Sequence, residues 1–127
     1  MRRKVNYTSL SFERDVHIFY WSKVMSMHFE VITDTAHPLY DTAQQLYQDS
    51  FPWHEQREAA SQAEIMKHED YRYTLIFNDE QFVGIILYWD LFHIRYVEHF
   101  CILPEFRNRH YGQKALTLLQ EKTMVLE

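Results

Sequence analysis

The sequence predicts an α+β domain with a mainly antiparallel sheet and helices on both faces. Two observations predict it. Three consecutive strand-like segments are separated by short turns, as in an antiparallel meander, and amphipathic helices precede and follow them. The middle segment is apolar on both faces, which places it inside a sheet that is covered on both sides. At 127 residues the chain has the length of one average domain.

The first elements follow from the spacing of apolar residues. Residues 28–33 are rich in β-branched and apolar side chains and lead into Asp34 and Thr35, which predicts a strand followed by a helix N-cap. From residue 36 to about residue 49, apolar positions recur every three or four residues, with Pro38 in the first turn, which predicts an amphipathic helix. Residues 50–54 interrupt the pattern, and residues 57–68 resume it as a second helix.

The meander and a third helix follow. Alternation over residues 71–77 predicts a strand, the apolar run 82–92 a second, and residues 94–103 a third that ends before Pro104. Residues 111–122 predict a helix, and residues 123–127 resemble the beginning of another strand. Because residues 1–27 have no comparable pattern, we expect the domain to span residues 28–127 and residues 1–27 to form an N-terminal extension or arm.

Composition and charge exclude several classes of protein. The chain has 13 Lys and Arg against 18 Asp and Glu, a net charge of −5, so we expect no nucleic-acid partner. Its single cysteine cannot form an intramolecular disulfide, and no run approaches the roughly 18 apolar residues that a spanning helix needs, so we expect no membrane partner. The basic start resembles a signal peptide, but charges at residues 13–15 interrupt the apolar region, and we expect a cytoplasmic protein.

Residues 98–116 are the segment most typical of a ligand site. They predict a buried strand, a polar loop and the start of a helix, a junction whose unpaired backbone N–H groups and helix dipole suit a diphosphate. Arg107, Arg109 and Lys114 add positive charge to it. On these residues alone, an ordinary strand-to-helix turn with solvated basic side chains is the alternative.

This segment resembles the GNAT superfamily of acyl-CoA-dependent N-acyltransferases. The family's loop reads Gln/Arg-x-x-Gly-x-Gly/Ala after a strand, and residues 107–112, Arg-Asn-Arg-His-Tyr-Gly, fall on it. Residues 103–106, Leu-Pro-Glu-Phe, resemble the family's Val-x-Pro-x-aromatic segment, and the order of elements over residues 28–127 is similar. Residues 51–57, which contain Phe-Pro followed by Glu55 and Arg57, resemble a segment that some members carry between their first two helices.

The resemblance implies an N-acetyltransferase that moves an acetyl group from acetyl-CoA, as co-substrate, to a primary amine of a small molecule or peptide by direct attack in a ternary complex. Glu98 lies on the strand from which some members supply the base, and partial burial would raise its pKa toward a useful range. Trp53, in the loop that borders the family's acceptor site, and Glu98 are the implied acceptor contacts. The implied contacts to acetyl-CoA are Cys101, Ile102, Leu103, Arg107, Asn108, Arg109, His110, Tyr111, Gly112, Gln113 and Lys114.

Other roles for the strand residues remain open. A β-bulge would switch the face on which Glu98 lies, and the alternative role for Glu98 is a structural carboxylate paired with Arg95 or a neighbouring His. His99 and Cys101 share a strand face, but two ligands are too few for zinc and the sequence has no metal-ligand spacing, so we expect no metal site. Cys101 is expected to be a small buried thiol rather than a nucleophile.

Two departures from the family pattern favour a second function. His110 stands where the family has its first loop glycine, and its Cβ restricts the backbone and crowds an approaching phosphate. Family members also continue with a strand, a helix and a hairpin, of which this sequence contains only the first strand residues, so we expect the C-terminal elements to be missing. The alternative is a truncated, non-catalytic GNAT-like protein that binds acyl-CoA or forms a homodimer through an exposed sheet edge. An unrelated α+β fold with a chance match is the remaining alternative.

Overall fold

The computed structural model describes residues 26–120 and the backbone of residues 123–126. Most of the predicted extension, residues 1–27, therefore lies outside the described residues, and Met27 begins the first strand. The elements in chain order are β1 (Met27–Ile32), α1 (Tyr40–Ser50), a 3₁₀ turn (Trp53–Glu55), α2 (Ala59–Ile65), β2 (Tyr71–Asn78), β3 (Gln81–Asp90), β4 (Ile94–Ile102), a second 3₁₀ turn (Pro104–Phe106), α3 (Tyr111–Leu119) and β5 (Thr123–Leu126).

The five strands form one sheet in the order β1-β2-β3-β4-β5. The first four pair antiparallel, and β5 pairs parallel with β4. A parallel neighbour requires a crossover connection, which α3 supplies. The predicted α+β class and the mainly antiparallel sheet are confirmed.

The sheet carries a hydrophobic core on each face. Helices α1 and α2 cover one face, where Tyr47 and Met66 pack with Leu87. Helix α3 covers the other face, where Ala115 and Leu119 pack with neighbours from the sheet. Residues 85–87 in the middle of β3 are fully buried because β3 has a strand on each side and a core on each face. The predicted helices on both faces are thus confirmed.

Two helices begin later than the apolar spacing predicts. Helix α1 begins at Tyr40 because His37 precedes a proline, which disfavours helical geometry, and its Nδ1 instead accepts the N–H of Leu39. Helix α2 begins at Ala59 because Glu58 before it is extended, with ψ 149°, and serves as its N-cap. Helix α3 ends at Leu119, and residues 121–122 of the predicted helix lie outside the described residues.

Gly84 permits a close approach between β3 and β4. A Cβ at this position would lie 2.5 Å from the backbone oxygen of Cys101 and 2.9 Å from Cδ1 of Ile102. The pairing of β2 with β3 is irregular here, since Gly84 opposes Ile76 and Phe82 opposes Phe77. The glycine therefore fixes how the end of β4 sits against β3, directly before the polar loop.

In the part of the chain that the structure describes, no helix is long and apolar enough to cross a membrane.

Candidate functional site

A β-bulge in β4 determines which side chains face α1 and α2. His99 and Val97 oppose successive residues of β3, so Glu98 is the extra residue. Such an insertion interrupts the alternation of faces. Glu98 contacts Arg57 and His99 contacts Tyr47, both on the side of α1, whereas Val97 packs in the core under α3. The bulge therefore places Glu98 and His99 side by side on one face. A change in the face on which Glu98 lies is the effect expected of a bulge in this strand.

Glu98 forms a two-pronged ion pair with Arg57. Nη1 of Arg57 donates to Oε1 at 3.2 Å and Nη2 donates to Oε2 at 3.3 Å. The two side chains are largely buried, with 21% of Arg57 and 15% of Glu98 exposed. Burial lowers the pKa of Arg57, but the hydrogen bonds and charge of Glu98 outweigh it, so that this pKa is raised. The alternative that pairs Glu98 with Arg95 is wrong, because Arg95 pairs with Asp90, its direct partner on β3.

His99 holds the other side of the segment between α1 and α2, which we call the helix linker (residues 51–58). Its Nε2 donates to the backbone oxygen of Glu55 at 3.2 Å, and its ring makes edge contacts with Tyr47 and Phe51. Its Nδ1 is buried and has no hydrogen-bond partner among the described residues. Two contacts thus join the helix linker to β4 at the bulge: the ion pair of Arg57 with Glu98 and the hydrogen bond from His99 to the backbone oxygen of Glu55.

Trp53 lies on this helix linker, at the start of the 3₁₀ turn. It is 83% exposed, and its ring contacts that of His54 at 5.9 Å. Trp89 is different, since it packs on Tyr71 and His68 with ring separations of 5.1 Å. Trp53 is therefore the indole available to a ligand on this face of the described residues.

Cys101 shares the α1 face with His99, as the sequence predicts. It packs against the core under α1, and burial raises the pKa of its thiol, although a hydrogen bond from Ser50 and the charge of Arg107 oppose the shift. The thiol is therefore protonated at neutral pH and a weak nucleophile. Among the described residues, no group of three or more His, Cys, Asp or Glu could hold a metal ion.

The outer edge of β4 presents backbone N–H groups. Leu103 donates its N–H to β3 at 2.8 Å, and the oxygen of Ile102 points the other way, to Nε of Arg107 at 2.8 Å. Because neighbouring residues of a strand direct these groups to opposite edges, the N–H groups of Ile102 and Phe100 face away from β3. In the described part of β5, pairing with β4 extends only to Val97. No described strand therefore covers the edge at Phe100 and Ile102.

The loop between β4 and α3 turns through two left-handed residues. Asn108 has φ 64° and His110, the N-cap of α3, has φ 65°. Adjacent residues of opposite hand, such as His110 and Tyr111 at the start of α3, direct their N–H groups into a concave, anion-binding surface. Within the part of the chain that the structure describes, no side chain caps α3, so the N–H groups of Tyr111, Gly112 and Gln113 have no acceptor there from the helix itself or from a cap.

Three cations surround this loop. The guanidinium of Arg109 lies over the Phe106 ring at 5.6 Å, and the ammonium of Lys114 lies over the Tyr111 ring at 5.8 Å. Arg107 is anchored through Nε, and its Nη groups make no hydrogen bond with the described residues. Positive side chains and a helix N-terminus together favour an anionic ligand.

A surface pocket of about 600 Å³ separates α1 from the beginning of this loop. Its walls combine two acids of α1, Asp41 and Asp49, with Arg107 and apolar groups from the loop. Its remaining lining residues are Thr42, Gln45, Leu46, Ser50, Leu103 and Pro104. The pocket therefore lies beside the beginning of the loop, on the face of the sheet that α1 covers.

Comparison with known protein families decides whether the likeness of this loop to the GNAT pattern is a chance match. The model of the acetyltransferase (GNAT) family matches residues 37–124. The chain belongs to the GNAT acetyltransferase family. The unrelated fold, left open by the residues alone, is thereby excluded.

Solved structures of GNAT proteins agree with this assignment. A protein of Bacteroides thetaiotaomicron described as belonging to the GNAT family shares 33% identity with a TM-score of 0.72, and the match covers 78% of this chain but 58% of that one. An aminoglycoside acetyltransferase from an uncultured soil metagenomic sample, solved with sisomicin, has 9% identity and a TM-score of 0.59 over 81% of this chain and 78% of that one. AAC(6')-Iy, solved with the bisubstrate analogue CoA-S-monomethyl-acetylneamine, has 15% identity and a TM-score of 0.57 over 80% and 78% of the two chains. The last two show likeness of fold alone. A comparison with curated proteins gives no match.

In the GNAT loop of this chain, a histidine adopts a backbone conformation that glycine usually adopts. His110 takes the left-handed conformation at the position of the family's first loop glycine, and histidine is one of the few non-glycine residues enriched there. The family's second small residue is present as Gly112, where a Cβ would lie 3.4 Å from Cζ of Phe100. The substitution at His110 therefore preserves the course of the backbone.

The His110→Gly variant is expected to raise the free energy of unfolding by about 0.5–1 kcal/mol. Left-handed geometry costs an L-residue about 1–2 kcal/mol, of which the greater chain entropy of glycine offsets about half. Urea denaturation measures the change. Arg109→Gly is the control, since Arg109 has a negative φ and glycine there should destabilise the protein. Equal effects of the two variants would contradict strain at His110.

Sequence reasoning missed the role of Arg57 in holding Glu98. The two residues lie 41 positions apart and meet only through the fold. One signal was available, since Arg57 is the only Lys or Arg between residues 24 and 66, a stretch that contains several acids. An isolated cation among acids is a reason to look for a buried carboxylate partner.

Proposed function

We propose that this chain is an N-acetyltransferase that moves an acetyl group from acetyl-CoA to a primary amine. The observation that carries the proposal is the junction of β4 with α3, where left-handed residues and three cations surround the first N–H groups of a helix. That arrangement fits a diphosphate, the anionic part of CoA. Membership of the GNAT family supports the same assignment.

The residues present fit acetyl-CoA in two parts. Around the diphosphate we assign backbone N–H groups of the loop and of the first turn of α3, together with three basic side chains. Along the pantetheine arm we assign the open edge of β4, where Ile102 contributes its N–H, while Cys101 and Leu103 contribute side chains because their N–H groups face β3. The residues assigned to the diphosphate are Arg107, Asn108, Arg109, His110, Tyr111, Gly112, Gln113 and Lys114.

Acetyl-CoA, when bound, supplies a thioester whose carbonyl carbon the amine attacks, so that a C–N bond forms and the C–S bond breaks. The outward N–H group of Phe100 is positioned to donate to the carbonyl oxygen as it gains negative charge. Glu98 accepts one proton of the substrate ammonium, which frees the nitrogen lone pair. The second proton leaves the nitrogen for the departing sulfur. Atoms and charge balance when Glu98 returns its proton to solvent.

For the acceptor we propose the amine of a small molecule or a peptide that binds between the bulge and the helix linker. Glu98 and Trp53 are the proposed contacts, one for the ammonium and one for the apolar part. The structural neighbours named as aminoglycoside acetyltransferases support an amine-bearing small molecule.

Calorimetric titration of acetyl-CoA into the purified chain tests the cofactor part. We expect micromolar Kd, about −8 kcal/mol. Arg107→Ala should weaken binding about 10- to 100-fold, because hydrogen bonds to charged groups are worth about 1.5–3 kcal/mol. Lys67→Ala is the control, since Lys67 lies exposed at the end of α2 and pairs only with Glu64 among the described residues. No binding at millimolar acetyl-CoA would contradict the proposal.

The edge of β4 at Phe100 and Ile102, which no described strand covers, favours a second candidate, a protein that binds acyl-CoA without turnover or pairs with a second copy. Release of free thiol from acetyl-CoA with a panel of amines separates the enzyme from this candidate. Sedimentation of the same samples, with and without acetyl-CoA, separates ligand binding from strand pairing. A stable dimer that acetyl-CoA does not affect, together with no thiol release, would favour the second candidate.

A further inference from the structure

We propose that the Arg57–Glu98 pair is the recognition element for an acceptor that carries a carboxylate next to its amine, namely a free α-amino acid. That the bound amino acid is then acetylated rests on the proposed function. Binding of the amino acid itself does not require acetyl-CoA. It names a substrate class and assigns Arg57, which the proposed mechanism does not use, as a specificity-determining residue.

Arg57 is held in place by contacts other than Glu98. Its backbone N–H donates to the Tyr47 hydroxyl at 2.7 Å, and its guanidinium lies over the Tyr71 ring at 5.7 Å. Burial raises the pKa of Tyr71 to about 12, so this ring stays a neutral phenol. The guanidinium can therefore exchange one carboxylate for another without losing its position.

The pair is also loose enough to be exchanged. Its two hydrogen bonds measure 3.2 Å and 3.3 Å, whereas charge-assisted hydrogen bonds are ordinarily about 2.7–2.9 Å long. Both side chains retain some exposure at the surface of the helix linker. Because the guanidinium keeps this exposure, a ligand carboxylate can reach it from the surface.

Charge complementarity decides which acceptor fits. A simple amine competes with Arg57 for the one carboxylate of Glu98, and any movement of Glu98 toward the ammonium leaves the largely buried guanidinium less well paired, which is unfavourable. An α-amino acid brings a carboxylate for Arg57 and an ammonium for Glu98, so each charge keeps a partner. Its ammonium then lies on the group that we propose as base.

The same pair favours release of the product. Acetylation turns the ammonium into a neutral amide, which no longer attracts Glu98. Glu98 is then free to return to Arg57 and compete with the carboxylate of the product. We therefore expect an N-acetyl amino acid to bind more weakly than the free amino acid.

Calorimetric titration without acetyl-CoA tests the proposal on the whole chain. Pools of L-amino acids identify a binder, which is then compared with its methyl ester, which lacks the carboxylate, and with its N-acetyl form, which lacks the ammonium. We expect each modified ligand to bind at least about 30-fold more weakly, the loss typical of truncating one partner of a buried charge pair. This comparison uses only the unaltered protein, so it does not depend on whether a variant folds.

Variants assign the effect to Arg57. Arg57→Gln should abolish the preference for the amino acid over its ester, and Arg57→Lys should retain part of it because the charge remains but the planar fork is lost. Arg72→Gln is the matched control, since Arg72 pairs with Asp90 on another part of the sheet and should leave the preference unchanged.

Thiol release from acetyl-CoA with the same ligands separates this proposal from the proposed function. Amino acids that bind through Arg57 without any thiol release would support the recognition element and overturn acetyl transfer. Esters or simple amines that are acetylated as fast as amino acids would overturn the recognition element and leave acetyl transfer standing. No binding of any amino acid at millimolar concentration would overturn the recognition element.

Discussion

The Glu98→Gln variant is expected to release thiol from acetyl-CoA about 100- to 10,000-fold more slowly at saturating acceptor, the contribution typical of a positioned general base. Glutamine keeps the size of the side chain and one hydrogen-bond acceptor for Arg57 but cannot take the ammonium proton. The affinity for acetyl-CoA should not change, because Glu98 lies on the α1 face and not at the outer edge of β4. Steady-state thiol release and calorimetry measure the two quantities.

Glu55→Gln is the matched control for this experiment. Glu55 is an exposed carboxylate on the same helix linker, and only its backbone oxygen contacts His99. We expect this variant to keep its turnover. If Glu98→Gln turns over as fast as the unaltered chain, Glu98 is the structural carboxylate and the base must be sought elsewhere.

The Gly84→Ala variant is expected to lower the free energy of unfolding by about 1–3 kcal/mol, the usual cost of inserting a methyl group into a packed core. The new Cβ would meet the backbone oxygen of Cys101 at 2.5 Å, and backbone gives way less readily than the end of a side chain. Because the end of β4 must then move, the affinity for acetyl-CoA should also fall. Urea denaturation and calorimetry measure these two effects.

Gly112→Ala is the control, since its Cβ would meet the tip of the Phe100 ring at 3.4 Å. Alanine also favours helix over glycine by about 1 kcal/mol. We therefore expect little loss or a small gain in stability. An equal loss at both glycines would contradict the particular role of Gly84.

The sequence predicts the order of the helices and strands because buried apolar residues recur along the chain at the spacing typical of each element. Residues 71–77 show an alternating pattern, and β3 is apolar on both faces. Both patterns are local, and both are expected of a sheet that has a core on each face. The starts of α1 and α2 are less predictable, because a proline at residue 38 and the extended backbone of Glu58 oppose helix formation there. Such boundaries depend on partners that periodicity does not reveal.

The candidate site was predictable only where its residues are consecutive. The loop after β4 could be read from its cations and from its likeness to a family pattern. The position of a bulge in β4 could not, because residues 94–103 read as one uninterrupted strand and the extra residue is defined only by its pairing with β3. The two left-handed residues of the loop were also hidden, since Asn108 and His110 adopt that geometry without being glycine.

The bulge has a consequence for how Glu98 relates to the rest of the sheet. On either side of it, His99 and Val97 already occupy the faces that regular alternation would give to direct neighbours. A strand one residue shorter would form an unbroken ladder with every other side chain on its present face. Glu98 is in this sense a supernumerary residue of the strand ladder, and its contribution comes from its carboxylate, which pairs with Arg57.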